Sequence, residues 1–246
     1  MMEQEIYDQM YELEQHFWWF TAKRRIISHL LKKFLPKNSG KKVCDIGCGC
    51  GMTMVELQEQ GYDISGIDFS DTALGYCRQR NMTVFKGDII KGLELKDGCF
   101  DAALMLDVAE HLDDDTAGIT EALRLVKPGG ILIITVPAYS WLWTKRDALH
   151  HHKRRYNMSQ FKKIIAPLDV KIVRLSYANS LLFPLALAER LFHKCLPFLQ
   201  RDADIIIPPL GSNELLCEIF ALEKHILSAG IPMFAGLSIL TILQKK

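Results

Sequence analysis

Apolar and polar residues alternate along this chain with two different periods. Near the N-terminus, apolar residues at 26, 27, 30, 31 and 34 recur at helical spacing, and a Pro-Lys-Asn-Ser-Gly segment at 36–40 ends that pattern. Beyond it, short apolar runs alternate with longer amphipathic segments. The runs predict seven strands at residues 43–46, 63–68, 83–89, 100–106, 131–137, 170–177 and 236–243. Strands alternating with helices are typical of an α/β domain with a largely parallel sheet.

The first predicted strand leads into a glycine-rich turn. Asp45, Gly47, Gly49 and Gly51 follow each other as D-x-G-x-G-x-G, and a helix-like segment begins directly afterwards. Glycines in such a turn allow positive φ angles and let a ligand approach the backbone. A dinucleotide fingerprint, G-x-G-x-x-G/A, would need Gly or Ala at position 52, where this chain has Met52. The spacing therefore argues against a nicotinamide cofactor.

The second predicted strand ends in an acidic residue. Asp68 follows the glycine turn at close to the offset of about 20 residues expected for a carboxylate that binds ribose hydroxyls. A carboxylate suits this role because it accepts hydrogen bonds from both hydroxyls of a diol. Asp68 could instead cap the following helix, although Ser70 or Asp71 could serve there as well.

These motifs, with a Gly-Asp pair at 87–88 and a Pro-Gly-Gly turn at 128–130, resemble class I S-adenosylmethionine-dependent methyltransferases over residues 40–140. The resemblance implies a Rossmann-like seven-stranded sheet of order 3-2-1-4-5-7-6, with the last strand antiparallel and helices on both faces. It implies S-adenosyl-L-methionine as cofactor and S-adenosyl-L-homocysteine as product. It also implies that Asp45 holds the methionine ammonium through water, Leu106 contacts the methionine portion, Asp88 the adenine amino group and the amide of Ile89 the ring. The predicted cofactor-binding residues are Asp45, Gly47, Cys48, Gly49, Gly51, Asp68, Phe69, Asp88, Ile89 and Leu106.

Two further segments resemble methyltransferases of glycan and lipid biosynthesis. They are HFWWFTAKRR, from His16 to Arg25, and HKRRYN, from His152 to Asn157. The four adjacent aromatic residues of the first segment could staple a helix to the sheet or form part of a lid over the cofactor. We expect residues 1–36 to form a helical lid, residues 40–140 the cofactor-binding half, and residues 141–246 the acceptor half of one domain.

The second segment follows the fifth strand, where loops build the site of an open α/β sheet. Transfer to a hydroxyl or amine requires loss of a proton, and histidine is the natural base near neutral pH. The predicted catalytic residues are His152, His111, Tyr156 and Arg155. A solvated basic loop is the alternative. We expect no metal, because adjacent histidines in a loop point in different directions and no nearby Cys or Glu has ligand spacing.

An apolar insert at about residues 180–230 precedes the last strand, and its last part is predicted to be a helix from Asn213 to Ser228 with Asn213 as the cap. It could pack on the domain, form a homodimer face, cover an apolar acceptor or contact a membrane surface. A net charge of +1 argues against a nucleic-acid partner, and seven cysteines without a regular framework favour a reducing compartment. No secretory signal or membrane-spanning run is recognisable, so we expect a cytoplasmic protein, with peripheral membrane contact left open.

The sequence thus predicts methyl transfer from S-adenosylmethionine to the oxygen or nitrogen of a small molecule, with apolar, lipid-linked and glycan-linked acceptors among those expected. A non-catalytic protein that binds the cofactor, or an NAD-dependent oxidoreductase, are the alternatives.

Overall fold

The predicted seven-stranded sheet is present in the computed structural model, which describes residues 4–35, 40–195 and 211–246. The strands follow the order β3-β2-β1-β4-β5-β7-β6, so the predicted fold class is confirmed. Only β7 runs antiparallel to its neighbours, β5 and β6. The strands are β1 (Lys42–Ile46), β2 (Asp63–Asp68), β3 (Thr83–Lys86), β4 (Phe100–Leu106), β5 (Val126–Pro137), β6 (Val170–Ala178) and β7 (Ser238–Lys245).

Helices cover both faces of this sheet, which explains why its central strands are apolar on both sides. In β4, four consecutive residues from Ala102 to Met105 are completely buried. The helices are α1 (Gln4–His16), α2 (Trp18–Phe34), α3 (Met52–Glu59), α4 (Asp71–Gln79), α5 (Asp115–Leu125), α6 (Lys145–Leu149), α7 (Met158–Ile165), α8 (Phe183–Cys195), α9 (Ser212–Ala221) and α10 (Glu223–Ala229). One apolar core joins α2, α3, α4 and α9 to the sheet, and a second joins α5 and α7 to its other face.

The N-terminal helix α1 lies against the glycine turn and α4. Tyr7 of α1 is buried against Cys50 and Ala73. Farther along, Glu14 pairs with Arg80, whose guanidinium stacks on Tyr11 with 4.2 Å between its central carbon and the ring centroid. Because both charged groups are almost buried, this pair fixes α1 over the carboxyl edge of β1 and β2. Helix α1 therefore lies over this edge of the sheet, and its role as a lid stays a prediction.

The insert before β7 differs from its prediction in one respect. The expected helix from residue 213 to residue 228 is two helices, and Asn213 does not cap it: the position before α9 is Gly211, at φ +86°. Instead the Asn213 side chain accepts a hydrogen bond from the Trp18 amide at 2.9 Å and donates to the His16 carbonyl at 2.9 Å. Asn213 thus caps the start of α2, nearly two hundred residues away in sequence.

The rest of the insert is partly described. Of the two apolar stretches in the insert, most of the one at residues 181–188 lies in α8, whereas the one at residues 205–210 lies outside the described residues. Within the described ranges, no helix combines the length and the apolarity needed to cross a bilayer. Contact of the insert with a membrane or a second copy stays a prediction.

Candidate active site

The glycine turn lies at the carboxyl end of β1, where strand order reverses between β1 and β4 and open α/β sheets bind ligands. Gly47, Gly49 and Gly51 all have positive φ, at 70°, 54° and 91°. A Cβ on Gly47 would come within 2.4 Å of Val108, so that glycine is required for packing. A Cβ on Gly49 would meet only Met10 of α1, at 3.7 Å. The side of Gly49 that faces α1 is therefore uncrowded, with Met10 at ordinary contact distance.

Asp68 ties the glycine turn to the start of α4. One carboxylate oxygen accepts the Gly49 amide at 3.0 Å and the other accepts the Ser70 amide at 2.9 Å. Ser70, not Asp68, is the N-cap of α4, because its hydroxyl accepts the Ala73 amide. Burial raises the pKa of Asp68, and these amide donors oppose that rise. Each Asp68 oxygen keeps a lone pair for a further donor such as a ribose hydroxyl.

Asp45 is a buried carboxylate that lacks a donor. It is 3% exposed at the end of β1, and its carboxylate makes no hydrogen bond to any part of the chain that the structure describes. Burial raises the pKa of Asp45 to about 7, and the ammonium of Lys23 is the group that opposes this rise. An uncompensated buried carboxylate is costly, so this position favours a positively charged ligand group.

The other predicted cofactor residues differ in their exposure and in the contacts that they make. Phe69 is 58% exposed directly after Asp68, and an exposed aromatic ring there offers a stacking surface. Asp88 accepts the Ile90 amide at 3.1 Å and pairs with Lys91 at 3.3 Å, while Ile89 is buried. Cys48 packs below the turn with its sulfur 3.9 Å from that of Cys77, and Leu106 is half-buried. Their contacts with a cofactor stay predictions.

An ion pair that sequence reasoning missed joins the N-terminal helices to this edge. Lys23 of α2 binds Asp107 at 2.5 Å, and Asp107 also accepts the Thr135 hydroxyl of β5 at 2.8 Å. Asp107 has a φ of 57°, a left-handed conformation that aspartate tolerates better than most residues. The basic run at 23–25 carried the only sequence signal for this contact.

The loop after β5 is organised around one buried carboxylate, Asp147, which is 1% exposed. Its oxygens accept hydrogen bonds from Arg155 at 2.7 and 2.9 Å, while His152 Nδ1 lies 2.9 Å from Oδ1 and the Thr144 amide 2.7 Å from Oδ2. These partners hold the pKa of Asp147 below its usual range against the effect of burial. The sequence predicted Arg155 and His152 but gave Asp147 no role.

Tyr156 and Arg154 bind Asp115 and so hold the same loop against α5. The Tyr156 side chain is almost completely buried, and its hydroxyl donates to Asp115 at 2.9 Å. Arg154 pairs with the same carboxylate at 3.1 Å and donates to the Leu112 carbonyl at 2.9 Å. The structure therefore places Tyr156 and Arg155 in buried contacts that position the loop.

His111 and His152 meet although they are far apart in sequence. Their ring centroids are 4.7 Å apart, with the rings nearly perpendicular. Burial lowers the pKa of His111 to about 4, with His152 adding to the effect, so His111 is neutral at physiological pH. Next to them Glu110 is completely buried, and burial together with Asp107 raises its pKa. The predicted catalytic histidines thus share one cluster with a carboxylate.

Comparison with known proteins identifies the family. A model described as a methyltransferase domain matches residues 18–167, more than half of the chain. A demethylmenaquinone methyltransferase of Corynebacterium kroppenstedtii is 34% identical over 120 residues, covering 46% of this chain and 52% of the relative. A ubiquinone biosynthesis O-methyltransferase of Dechloromonas aromatica is 32% identical over 103 residues, covering 39% and 44%. The chain spans about half the length of the curated relatives it matches.

Solved structures share the fold at lower identity. A SAM-dependent methyltransferase from Archaeoglobus fulgidus superposes with a TM-score of 0.57 at 19% identity, covering 90% of this chain and 94% of that one. A phosphoethanolamine N-methyltransferase of Haemonchus contortus, solved with S-adenosyl-L-methionine, gives 0.56 at 19% identity and covers 87% and 51%.

The residues at the glycine turn fit S-adenosylmethionine. The open face of Gly49 gives it room, the buried carboxylate of Asp45 needs a positive partner, and Asp68 retains acceptor capacity. The matched residues 18–167 contain these three positions together with the histidine cluster. This chain therefore belongs to the methyltransferase domain family of class I, whose cofactor is S-adenosyl-L-methionine.

Proposed function

We propose that this protein transfers a methyl group from S-adenosylmethionine to an oxygen or nitrogen atom of an apolar small molecule. The observation that carries the proposal is the position of the histidine cluster beside the cofactor edge. Glu110 and His111 follow β4 within a few residues of Asp107, which Lys23 links to the region of Asp45. Cofactor residues and candidate acceptor residues therefore lie at one edge of the sheet.

The cofactor, when bound, supplies an electrophilic methyl group on a sulfonium, and the protein supplies binding, orientation and electrostatics. In this proposal, Asp45 receives the ammonium of the methionine portion and Asp68 receives the ribose hydroxyls. The glycine turn allows close approach, and α1 excludes water from the site. Holding the acceptor in line with the methyl group is the largest contribution that such residues make.

Exposed apolar side chains in the loop that carries His152, and in α8, favour an apolar acceptor. Trp141 and Trp143 after β5 are 62% and 43% exposed, and Leu185 of α8 is 61% exposed. Trp141 lies against Tyr139, which stacks on Tyr177 with ring centroids 5.2 Å apart. Large exposed apolar side chains grouped near a site mark binding surfaces. The names of the curated relatives, a demethylmenaquinone methyltransferase and a ubiquinone biosynthesis O-methyltransferase, support a quinone-related small molecule as the acceptor.

Replacing His152 with alanine should lower turnover at least about tenfold, equivalent to about 1.4 kcal/mol of activation free energy, while the affinity for S-adenosylmethionine changes little. The reason is that His152 lies in the acceptor loop, held by Asp147, and not at the glycine turn. Calorimetric titration with S-adenosylhomocysteine, together with a methyl-transfer assay on a panel of phenolic and quinol acceptors, would measure both quantities. An equal loss of cofactor affinity would place His152 in the cofactor pocket, and unchanged turnover would contradict the proposed acceptor site.

The affinity for S-adenosylmethionine should rise with pH through about 7. In the free protein burial raises the pKa of Asp45 to about 7, and only the ionised carboxylate attracts the ammonium of the ligand. Below that pH the affinity should fall by up to about tenfold per unit, because a proton must leave Asp45 on binding. Calorimetry from pH 5.5 to 7.5 would measure the slope. The Asp45→Asn variant should bind weakly without this slope, and a wild-type affinity independent of pH would contradict the role of Asp45.

A further inference from the structure

Glu110 is the least compensated charged group among the described residues of the site. Its side chain is completely buried, and neither carboxylate oxygen has a hydrogen-bond partner. Buried carboxylates are normally paired, hydrogen-bonded or bound to a metal, because an unpaired one is very costly. Lys23 and Arg155 influence Glu110 only at longer range, since their own hydrogen bonds go to Asp107 and Asp147.

We propose that Glu110, His111 and His152 bind one divalent transition-metal ion of the zinc type. One ligand atom from each residue lies within 4.8 Å of the other two. A tetrahedral zinc ion with bonds of about 2.1 Å needs ligand atoms about 3.4 Å apart, so side-chain movements of under about 1 Å would close the site. Two imidazoles and one carboxylate form a donor set typical of zinc and related metals, whereas magnesium and calcium favour oxygen ligands alone.

One nitrogen of His152 already has a partner, as in established metal sites. His152 Nδ1 lies 2.9 Å from the Asp147 carboxylate, which leaves Nε2 for a ligand. Asp147 in turn accepts hydrogen bonds from Nε and Nη2 of Arg155. This network fixes the orientation of the His152 ring before a metal arrives.

From the sequence we expected no metal, because adjacent histidines point in different directions and no nearby Cys or Glu has ligand spacing. In the structure the His150 ring contacts that of His152, with centroids 6.2 Å apart, but of the three histidines His152 is the one that joins the cluster with Glu110 and His111. The carboxylate of the proposed site belongs to Glu110, which lies in the turn after β4, about forty residues before His152 in the chain.

With three protein ligands, the fourth position of a tetrahedral ion remains open, as in catalytic zinc sites. If the proposed function holds, an acceptor hydroxyl in that position would release its proton to solvent more readily, as water on zinc does. Its oxygen would then bond to the methyl carbon as the carbon–sulfur bond breaks, leaving S-adenosylhomocysteine. In that case His111 and His152 act as metal ligands, and no histidine needs to act as the base.

The metal-binding experiment uses no acceptor. A failure to bind metal can therefore be distinguished from a failure of the methyltransferase proposal. The protein is stripped with a chelator and titrated with Zn²⁺ by calorimetry and with Co²⁺ by visible absorption. We expect one ion per chain and the strong absorption bands of low-coordinate Co²⁺. Glu110→Gln and His152→Ala should each weaken Zn²⁺ binding by about 100-fold or more, exceeding the effect of outer-shell changes. His150→Ala, the matched control, should bind within about twofold of wild type.

Wild-type protein without Co²⁺ bands or stoichiometric Zn²⁺ binding would overturn the proposal whatever the variants show. Equal Zn²⁺ affinity in wild type, Glu110→Gln and His152→Ala would also overturn it, since the ion would then bind elsewhere. Binding of S-adenosylhomocysteine by each variant reports whether its fold is intact.

Discussion

Replacing Gly49 with valine should abolish S-adenosylmethionine binding while the chain stays folded. A Cβ at this position meets only Met10, at 3.7 Å, so the new side chain points toward α1, where we place the cofactor, rather than into the core. The φ of 54° adds about 1–2 kcal/mol of backbone strain. We expect affinity to fall at least about 100-fold, or about 2.7 kcal/mol, in calorimetric titration.

Gly129→Val is the matched control for this experiment. Gly129 also has a positive φ, 77°, and a Cβ there would meet no atom within 4 Å. It lies in the bulged start of β5, at the opposite end of the strand from the acceptor loop, so valine there causes similar strain without filling the cofactor site. Unchanged affinity in folded Gly49→Val would refute our placement of the cofactor. Equal losses in both variants would attribute the effect to strain.

Replacing Asp147 with alanine should destabilise the protein by about 3–5 kcal/mol, the usual cost of removing one partner from a buried ion pair. Arg155 is about nine-tenths buried and would lose both carboxylate contacts, while His152 and the Thr144 amide would lose their acceptor. The loop after β5 would lose the group around which it is organised. Urea denaturation followed by circular dichroism would give the free energy of unfolding.

Asp113→Ala is the control for that variant. Asp113 also forms an ion pair in this region, with Lys153, but its side chain is 86% exposed. Exposed pairs contribute little, so we expect the free energy of unfolding of this variant to match that of the wild type within experimental error. If Asp147→Ala were as stable as Asp113→Ala, the loop would be held by its contacts with Asp115 instead, and Tyr156 would be the residue to replace.

Most of the fold could be predicted from local patterns. The apolar runs located all seven strands, although β3 ends at Lys86, before the predicted Gly-Asp pair, and β5 begins at Val126, before its Pro-Gly-Gly turn. The strand order was predicted from a family resemblance, and that resemblance rests on the spacing of Asp45, the glycines and Asp68. These features are readable because apolar periodicity and glycine turns are properties of neighbouring residues.

The contacts between distant segments could not be predicted in this way. Asn213 has the sequence features of a cap for its own helix, yet it caps α2, because the packing of α9 on α2 brings it to the Trp18 amide. His152 stands in a run of three histidines, and its place at the start of HKRRYN was the local feature that distinguished it from His150. Only the pairing of β4 with β5 brings the turn that carries Glu110 beside the loop that carries His152.

The sequence by itself thus determined the sheet, the glycine turn and the acids at the ends of β1 and β2, since each depends on residues a short distance apart. The tertiary structure decided which of those acids lacks a partner, which histidine meets Glu110 and which residues only hold a loop. Burial, together with hydrogen-bond and ion-pair partners, sets the charge state of each polar group and the free-energy cost of burying it. Both depend on segments that folding brings together.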